Sequence, residues 1–70
     1  MNTETMEILL NGRPLTLADT ATLAEAVAAA DIPPPFAAAL NGQFVPRAAH
    51  AATPLADGDR LDLVQPVTGG

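Results

Sequence analysis

The sequence predicts an α+β roll, a mixed four- to five-stranded sheet with one main helix packed across one face. Three observations predict it. Two Asn-Gly pairs, Asn11-Gly12 and Asn41-Gly42, each sit between short apolar runs and read as tight turns. One stretch, beginning at Thr22, repeats its apolar residues at helical spacing. A last run, Arg60 to Gln65, alternates as a strand.

The elements follow in order. Met6-Glu7-Ile8-Leu9-Leu10 predicts a strand with Met6, Ile8 and Leu10 on one face, and Asn11-Gly12 turns it into a hairpin. The return arm is Pro14-Leu15-Thr16-Leu17, with Leu15 and Leu17 sharing a face and Pro14 suited only to its start or to a sheet edge. Thr22-Leu23-Ala24-Glu25 matches a capping box, so a helix is expected to begin here with the threonine hydroxyl and the glutamate carboxylate capping its first N–H groups. Leu23, Ala26, Val27 and Ala30 form its apolar stripe, and Pro33-Pro34-Pro35 ends it. Phe36-Ala37-Ala38-Ala39-Leu40 is bracketed by prolines and by Asn41-Gly42, which favours strand despite the helix preference of alanine. Gln43-Phe44-Val45 is its short return arm, stopped by Pro46. From Arg47 to Ala56 the periodicity is weak, so an irregular stretch or a short helical turn is expected, anchored by Leu55. Asp57-Gly58-Asp59 is a turn into the final strand, in which Leu61 and Leu63 face inward. Residues 1–66 thus read as one domain and 67–70 as a flexible tail, because Val67-Thr68-Gly69-Gly70 has no core-forming pattern.

Composition narrows the function. Apolar residues are 49% of the 70, but 15 of them are alanine, so the core rests on few large side chains and stability should be modest. A net charge of −5 repels phosphate backbones, which disfavours nucleic acid as a partner. The chain has neither lysine nor cysteine. Schiff-base chemistry, P-loop phosphate binding, thiolate catalysis and cysteine metal sites all lack their usual residue. No nucleophile–base pair or metal cluster can be assembled, so an enzyme is disfavoured. No apolar run is long enough to span a bilayer and the first residues lack the positive start of a secretory signal, so the expected compartment is the cytoplasm, without membrane contact.

Four segments stand together in order and spacing: Asn41-Gly42, Val45-Pro46-Arg47, Asp57-Gly58-Asp59 and the closing Gly69-Gly70. With their flanks, Ala39 to Arg47, Leu55 to Asp59 and Leu63 to Gly70, they resemble the thiamine sulfur-carrier family, and the element order resembles that family's β-grasp, or ubiquitin-like, fold. The resemblance runs from about Met6 to Gly70. The triple proline and a short extension before Met6 depart from it, and neither touches the reactive end.

The resemblance implies a carrier rather than an enzyme. Its Gly70 carboxylate would be adenylated by a ubiquitin-activating-like adenylyltransferase and converted to a thiocarboxylate by a sulfur donor, a cysteine desulfurase or a sulfurtransferase. Thiazole synthase would accept the sulfur. The chain itself would bind no cofactor, ATP and magnesium belonging to the activating partner. Gly69, Thr68 and Val67 would thread the end into partner sites, and glycine at 69 and 70 removes each Cβ that would collide there. An ionised terminal carboxylate is a ready nucleophile towards the α-phosphate of ATP but a poor electrophile, and adenylation reverses that polarity.

Other residues are weighed against plainer roles. Alternation puts Leu9 and Val64 opposite the core positions, and with Phe44 they are candidates for an exposed apolar surface that binds the partner; equally, one or more fills the core, since register stays open at this level. Arg47 and Arg60 are candidates for pairing with a partner's acidic groups, against simple solvation. His50 has no second histidine or cysteine for metal work and reads as a surface residue; Asp57, Asp59 and Asp62 lack the further oxygen ligands and closing glutamate of an EF-hand-like cation site, and turn chemistry explains Asp57 and Asp59. Alternative readings are the small subunit of molybdopterin synthase, which resembles the same fold and also ends in diglycine, a ubiquitin-like interaction module that is never activated, and conjugation to other proteins.

Overall fold

Side-chain alternation and turn chemistry together decide how this chain closes on itself. The computed structural model describes residues 4–66. Its elements are β1 (Thr5–Leu10), β2 (Arg13–Ala18), α1 (Leu23–Ala30), β3 (Ala37–Leu40), β4 (Gln43–Val45), a 3₁₀ helix (Arg47–Ala52) and β5 (Arg60–Val64). The five strands form one mixed sheet in the order β2-β1-β5-β3-β4. Both hairpins are antiparallel, with Ile8 opposite Leu15 and Ala39 opposite Phe44. The last strand enters the middle, parallel to β1 and antiparallel to β3, so Leu61 stands beside both Leu10 and Leu40.

Met6, Ile8, Ala38, Leu61 and Leu63 point from the sheet into the core, where they meet Leu23 and Ala26 of α1 together with Ala21 and Leu55. The helix buries the stripe read from the sequence: Leu23 and Ala26 are buried, and Val27 and Ala30 pack at its margin. Leu55 anchors the connection after the 3₁₀ helix, with its N–H donated to the carbonyl of Ala21 at 3.1 Å. Among the described residues, three of the nine buried apolar side chains are alanines, which contribute little area each, so the core is thin.

Both Asn-Gly turns take left-handed backbone, Asn11 and Asn41 at φ 51°, Gly12 at 81° and Gly42 at 84°, the pattern of a type I′ hairpin. The asparagines also complete β5. The Leu63 N–H donates to Asn11 Oδ1 at 2.7 Å and the Arg60 N–H to Asn41 Oδ1 at 2.9 Å, while Asn41 Nδ2 donates to Asp59 Oδ1 at 3.1 Å. The turn before β5 is held the same way, with Asp57 Oδ1 accepting the Glu7 N–H and Asp59 Oδ2 accepting the Ala56 N–H, both at 2.8 Å.

Three expectations need correction. Thr22 stands at the N-cap but makes no side-chain capping bond, so the capping box does not form. Backbone pairing replaces it: the Leu23 N–H donates to the Thr53 carbonyl at 2.8 Å, and Thr22 bridges Pro54. The helix stops before the prolines reach it, because Asp31 turns left-handed at φ 53° and returns its N–H to the carbonyls of Val27 and Ala28. Phe36, read as the first residue of a strand, lies just outside β3 and is half-buried against the core.

Candidate functional site

Two regions were singled out by the sequence, the C-terminal segment and an apolar surface. Val67, Thr68, Gly69 and Gly70 lie outside the described residues. What precedes them is well placed: β5 is the central strand, and beyond it Gln65 Nε2 donates to the carbonyl of Pro33 at 2.9 Å. This bond ties the departing chain to the proline loop at one end of the sheet.

The apolar surface lies on the sheet face opposite α1. Alternation along each strand puts Leu9, Phe44 and Val64 there, at 41%, 68% and 59% exposure, so none of the three fills the core. Pairing fixes their arrangement in rows. Pro14, Leu9 and Arg60 stand in one, Asp62, Ala39 and Phe44 in the next, and Val64 with Ala37 in the third. At about 4.8 Å between strands and 3.3 Å per residue, Phe44 and Val64 are roughly 12 Å apart and Leu9 roughly 14 Å from Val64. Ala39 beside Phe44 and Ala37 beside Val64 connect those two across the gap, whereas Leu9 neighbours Pro14 and the charged Arg60, so the surface is two apolar patches rather than one. Between them, on the central strand, lies an ion pair that sequence reasoning did not place, Arg60 Nε to Asp62 Oδ2 at 3.4 Å.

The other side of the molecule carries a groove of about 410 Å³, whose walls include Val27 and Ala28 of α1, Ile32, Phe36, Arg47 and His50. His50 corrects the surface reading. It is buried, its ring stacks on Phe36 with centroids 6.2 Å apart and planes at 16°, and Nε2 donates to the Val45 carbonyl at 3.1 Å. A carbonyl only accepts, so Nε2 carries the proton. The residue joins the 3₁₀ helix to β4 and has a structural explanation; no local pattern marks it, because both its contacts come from other elements. Arg47 is exposed at the rim. Among the described residues no group of three or more His, Cys, Asp or Glu is placed to hold a metal ion, and no helix is long and apolar enough to cross a membrane.

Comparison with known proteins bears on the whole chain. A family model described as the ThiS family matches residues 2–70. Among solved structures, the chain is similar to the crystal structure of a thiamine biosynthesis protein (ThiS) from Geobacter metallireducens, with a TM-score of 0.78 and 29% identity over 93% of this chain and 100% of that one. It is also similar to the solution structure of a thiamine biosynthesis protein from the same organism, with a TM-score of 0.74 and 29% identity over 93% of this chain and 88% of that one. No curated protein matches. The five-stranded sheet with one helix is the β-grasp arrangement expected from the sequence.

Proposed function

The chain belongs to the ThiS family, and from that premise we propose that it is a sulfur carrier of thiamine biosynthesis whose reactive group is the Gly70 carboxylate. The observation that carries the reading is the family match across residues 2–70, which takes in the diglycine together with the fold that presents it. The similarity to two structures named for thiamine biosynthesis favours thiazole formation over molybdopterin synthesis as the destination of the sulfur.

The chemistry runs through partners. A ubiquitin-activating-like adenylyltransferase, using ATP and magnesium, joins a Gly70 carboxylate oxygen to the α-phosphate and releases pyrophosphate. The carbonyl carbon is then open to attack. The terminal sulfur of a persulfide on a cysteine desulfurase or a sulfurtransferase adds there, the bond to the phosphate oxygen breaks and AMP leaves, giving an acyl disulfide. A thiol then attacks the donor's sulfur, forming a new disulfide with the donor as the old S–S bond breaks, and this frees the thiocarboxylate, which thiazole synthase consumes in the cytoplasm. The protein acts as a co-substrate and not as a catalyst. Residues 1–66 form the body, and Val67, Thr68 and Gly69 thread the end into the partner, four residues from Pro66 reaching roughly 13–14 Å when extended.

Intact mass of the protein taken from its native cell tests the reading, with a fraction expected in which one terminal oxygen is replaced by sulfur. Protein found only as the carboxylate, even when thiamine is being made, would overturn it.

The sheet face with Leu9, Phe44 and Val64 is the proposed docking surface for the adenylyltransferase. Exposed apolar side chains that a partner buries on contact carry much of the energy of such an interface. Val64→Glu is therefore expected to weaken binding about tenfold or more, while the melting curve stays close to that of the unsubstituted protein because Val64 lies outside the core. Calorimetric titration with the adenylyltransferase measures it, and unchanged affinity would remove Val64 from the interface.

A further inference from the structure

The docking face has charge at its centre, on the strand that occupies the middle of the sheet. Of the chain's three cationic side chains, one, Arg60, projects between the Leu9–Pro14 patch and the Phe44–Val64 patch. Stability does not explain this placement. The contact with Asp62 is a single one at 3.4 Å, with side-chain exposures of 68% and 32%, and such surface pairs contribute little.

The guanidinium carries five N–H donors and stays charged at any physiological pH. Asp62 engages only Nε, which leaves both terminal amino groups without a partner among the described residues. In water this costs nothing. Once a partner covers Leu9, Phe44 and Val64, water leaves the centre of the face, and the unmet donors become a penalty unless the partner brings an acceptor. A carboxylate fits best, because its two oxygens match the planar fork of the guanidinium.

Resting on the sulfur-carrier reading, we infer that Arg60 is a specificity-determining contact of the sheet face, engaging a carboxylate on the adenylyltransferase while Asp62 holds the guanidinium from the other side. The chain's net charge of −5 attracts basic surfaces over a distance. A lone carboxylate set in such a basic surface is a short-range mark: it fixes the register of the two apolar patches and rejects partners that carry a cation there.

The test measures binding of the full chain to its adenylyltransferase, together with sulfur loading, for the unsubstituted protein and for Arg60→Glu, Arg60→Lys and Asp62→Ala. Arg60→Glu is expected to bind roughly 30-fold or more weakly, mainly through faster dissociation. Arg60→Lys keeps the charge, loses the fork and should recover only part of the affinity. Asp62→Ala, which leaves the arginine in place, should lose less than Arg60→Glu. Reversing one acidic residue of the adenylyltransferase to arginine should restore binding of Arg60→Glu. Melting curves matching the unsubstituted protein separate these effects from unfolding, since the backbone N–H of residue 60 keeps its bond to Asn41 whatever the side chain. Arg60→Glu binding within about twofold of the unsubstituted protein, or full recovery by lysine, overturns the inference and leaves the carrier reading intact, because that reading stands on loading of the unsubstituted chain. Failure of the unsubstituted chain to be loaded overturns both.

Discussion

Deletion of Gly70 is expected to abolish sulfur loading while leaving the melting curve unchanged. The proposed reaction joins one particular carboxylate to the α-phosphate of ATP, and reacting atoms must approach to about 3–3.5 Å in line before the step is fast. Removing one residue moves the new terminal carboxylate, on Gly69, back by roughly 3.4 Å along an extended chain. Since misplacement by about 1 Å can cost on the order of a hundredfold in rate, the shortened end is effectively out of reach. Gly70→Ala tests the same site by a different route: it keeps the length but adds a Cβ that the proposed narrow partner site would have to accommodate, and a sharp reduction is expected. Neither change touches the body, whose core extends from Met6 to Leu63. The measurement is intact mass after incubation with the adenylyltransferase, ATP, magnesium and a sulfur donor. Normal loading of the deleted form would show that Gly70 is not the reactive residue.

The parts of this fold that were legible in the sequence are those decided within a few residues. Asn11-Gly12 and Asn41-Gly42 announce left-handed turns because few other residues accept positive φ, and both turns form. Alternation in Met6 to Leu10 and Arg60 to Val64 gave the inward residues correctly, whereas the exposure of Leu9 and Val64 stayed open until the strand register was known. What escaped was decided at a distance. The capping box failed at Thr22 because the start of α1 is held by backbone pairing with residues Thr53 and Pro54, some thirty positions later. His50 was misread because its environment is made by Val45 and Phe36, and nothing in the alanine-rich Arg47–Ala52 segment signals burial. The second task of Asn11 and Asn41, supplying oxygens to the N–H groups of β5, follows only once that strand is known to enter between the two hairpins. The same insertion brings Arg60 and Asp62 between Leu9 and Phe44, so the division of the docking face required the strand order. The proposed reactive end rests on the resemblance of the sequence, as a diglycine by itself has no structural signature.

Leu61→Ala should be the most destabilising single truncation in the body. Leu61 is fully buried on the central strand, flanked in register by Leu10 and Leu40. Removing a leucine side chain from such a position costs about 2–5 kcal/mol, the larger values applying where neighbours cannot move in to fill the space. Here Ala21, Ala26 and Ala38 already stand in the core, and alanines have no side chain to swing into a cavity. The whole domain is expected to be stable by only about 4–10 kcal/mol, from roughly 0.05–0.15 kcal/mol per residue. A loss of about 3 kcal/mol is then a large fraction of the total, equivalent to a fall of more than about 10 °C in melting temperature at 4–8 °C per kcal/mol. Urea denaturation followed by circular dichroism measures it, with Leu9→Ala as the exposed control expected to change stability by less than about 1 kcal/mol. Sulfur loading should fall in Leu61→Ala only as far as the folded fraction falls, whereas Gly70 deletion removes it from a fully folded protein. A loss below about 1 kcal/mol at Leu61 would mean that the strand between the two hairpins is not the keystone of the core.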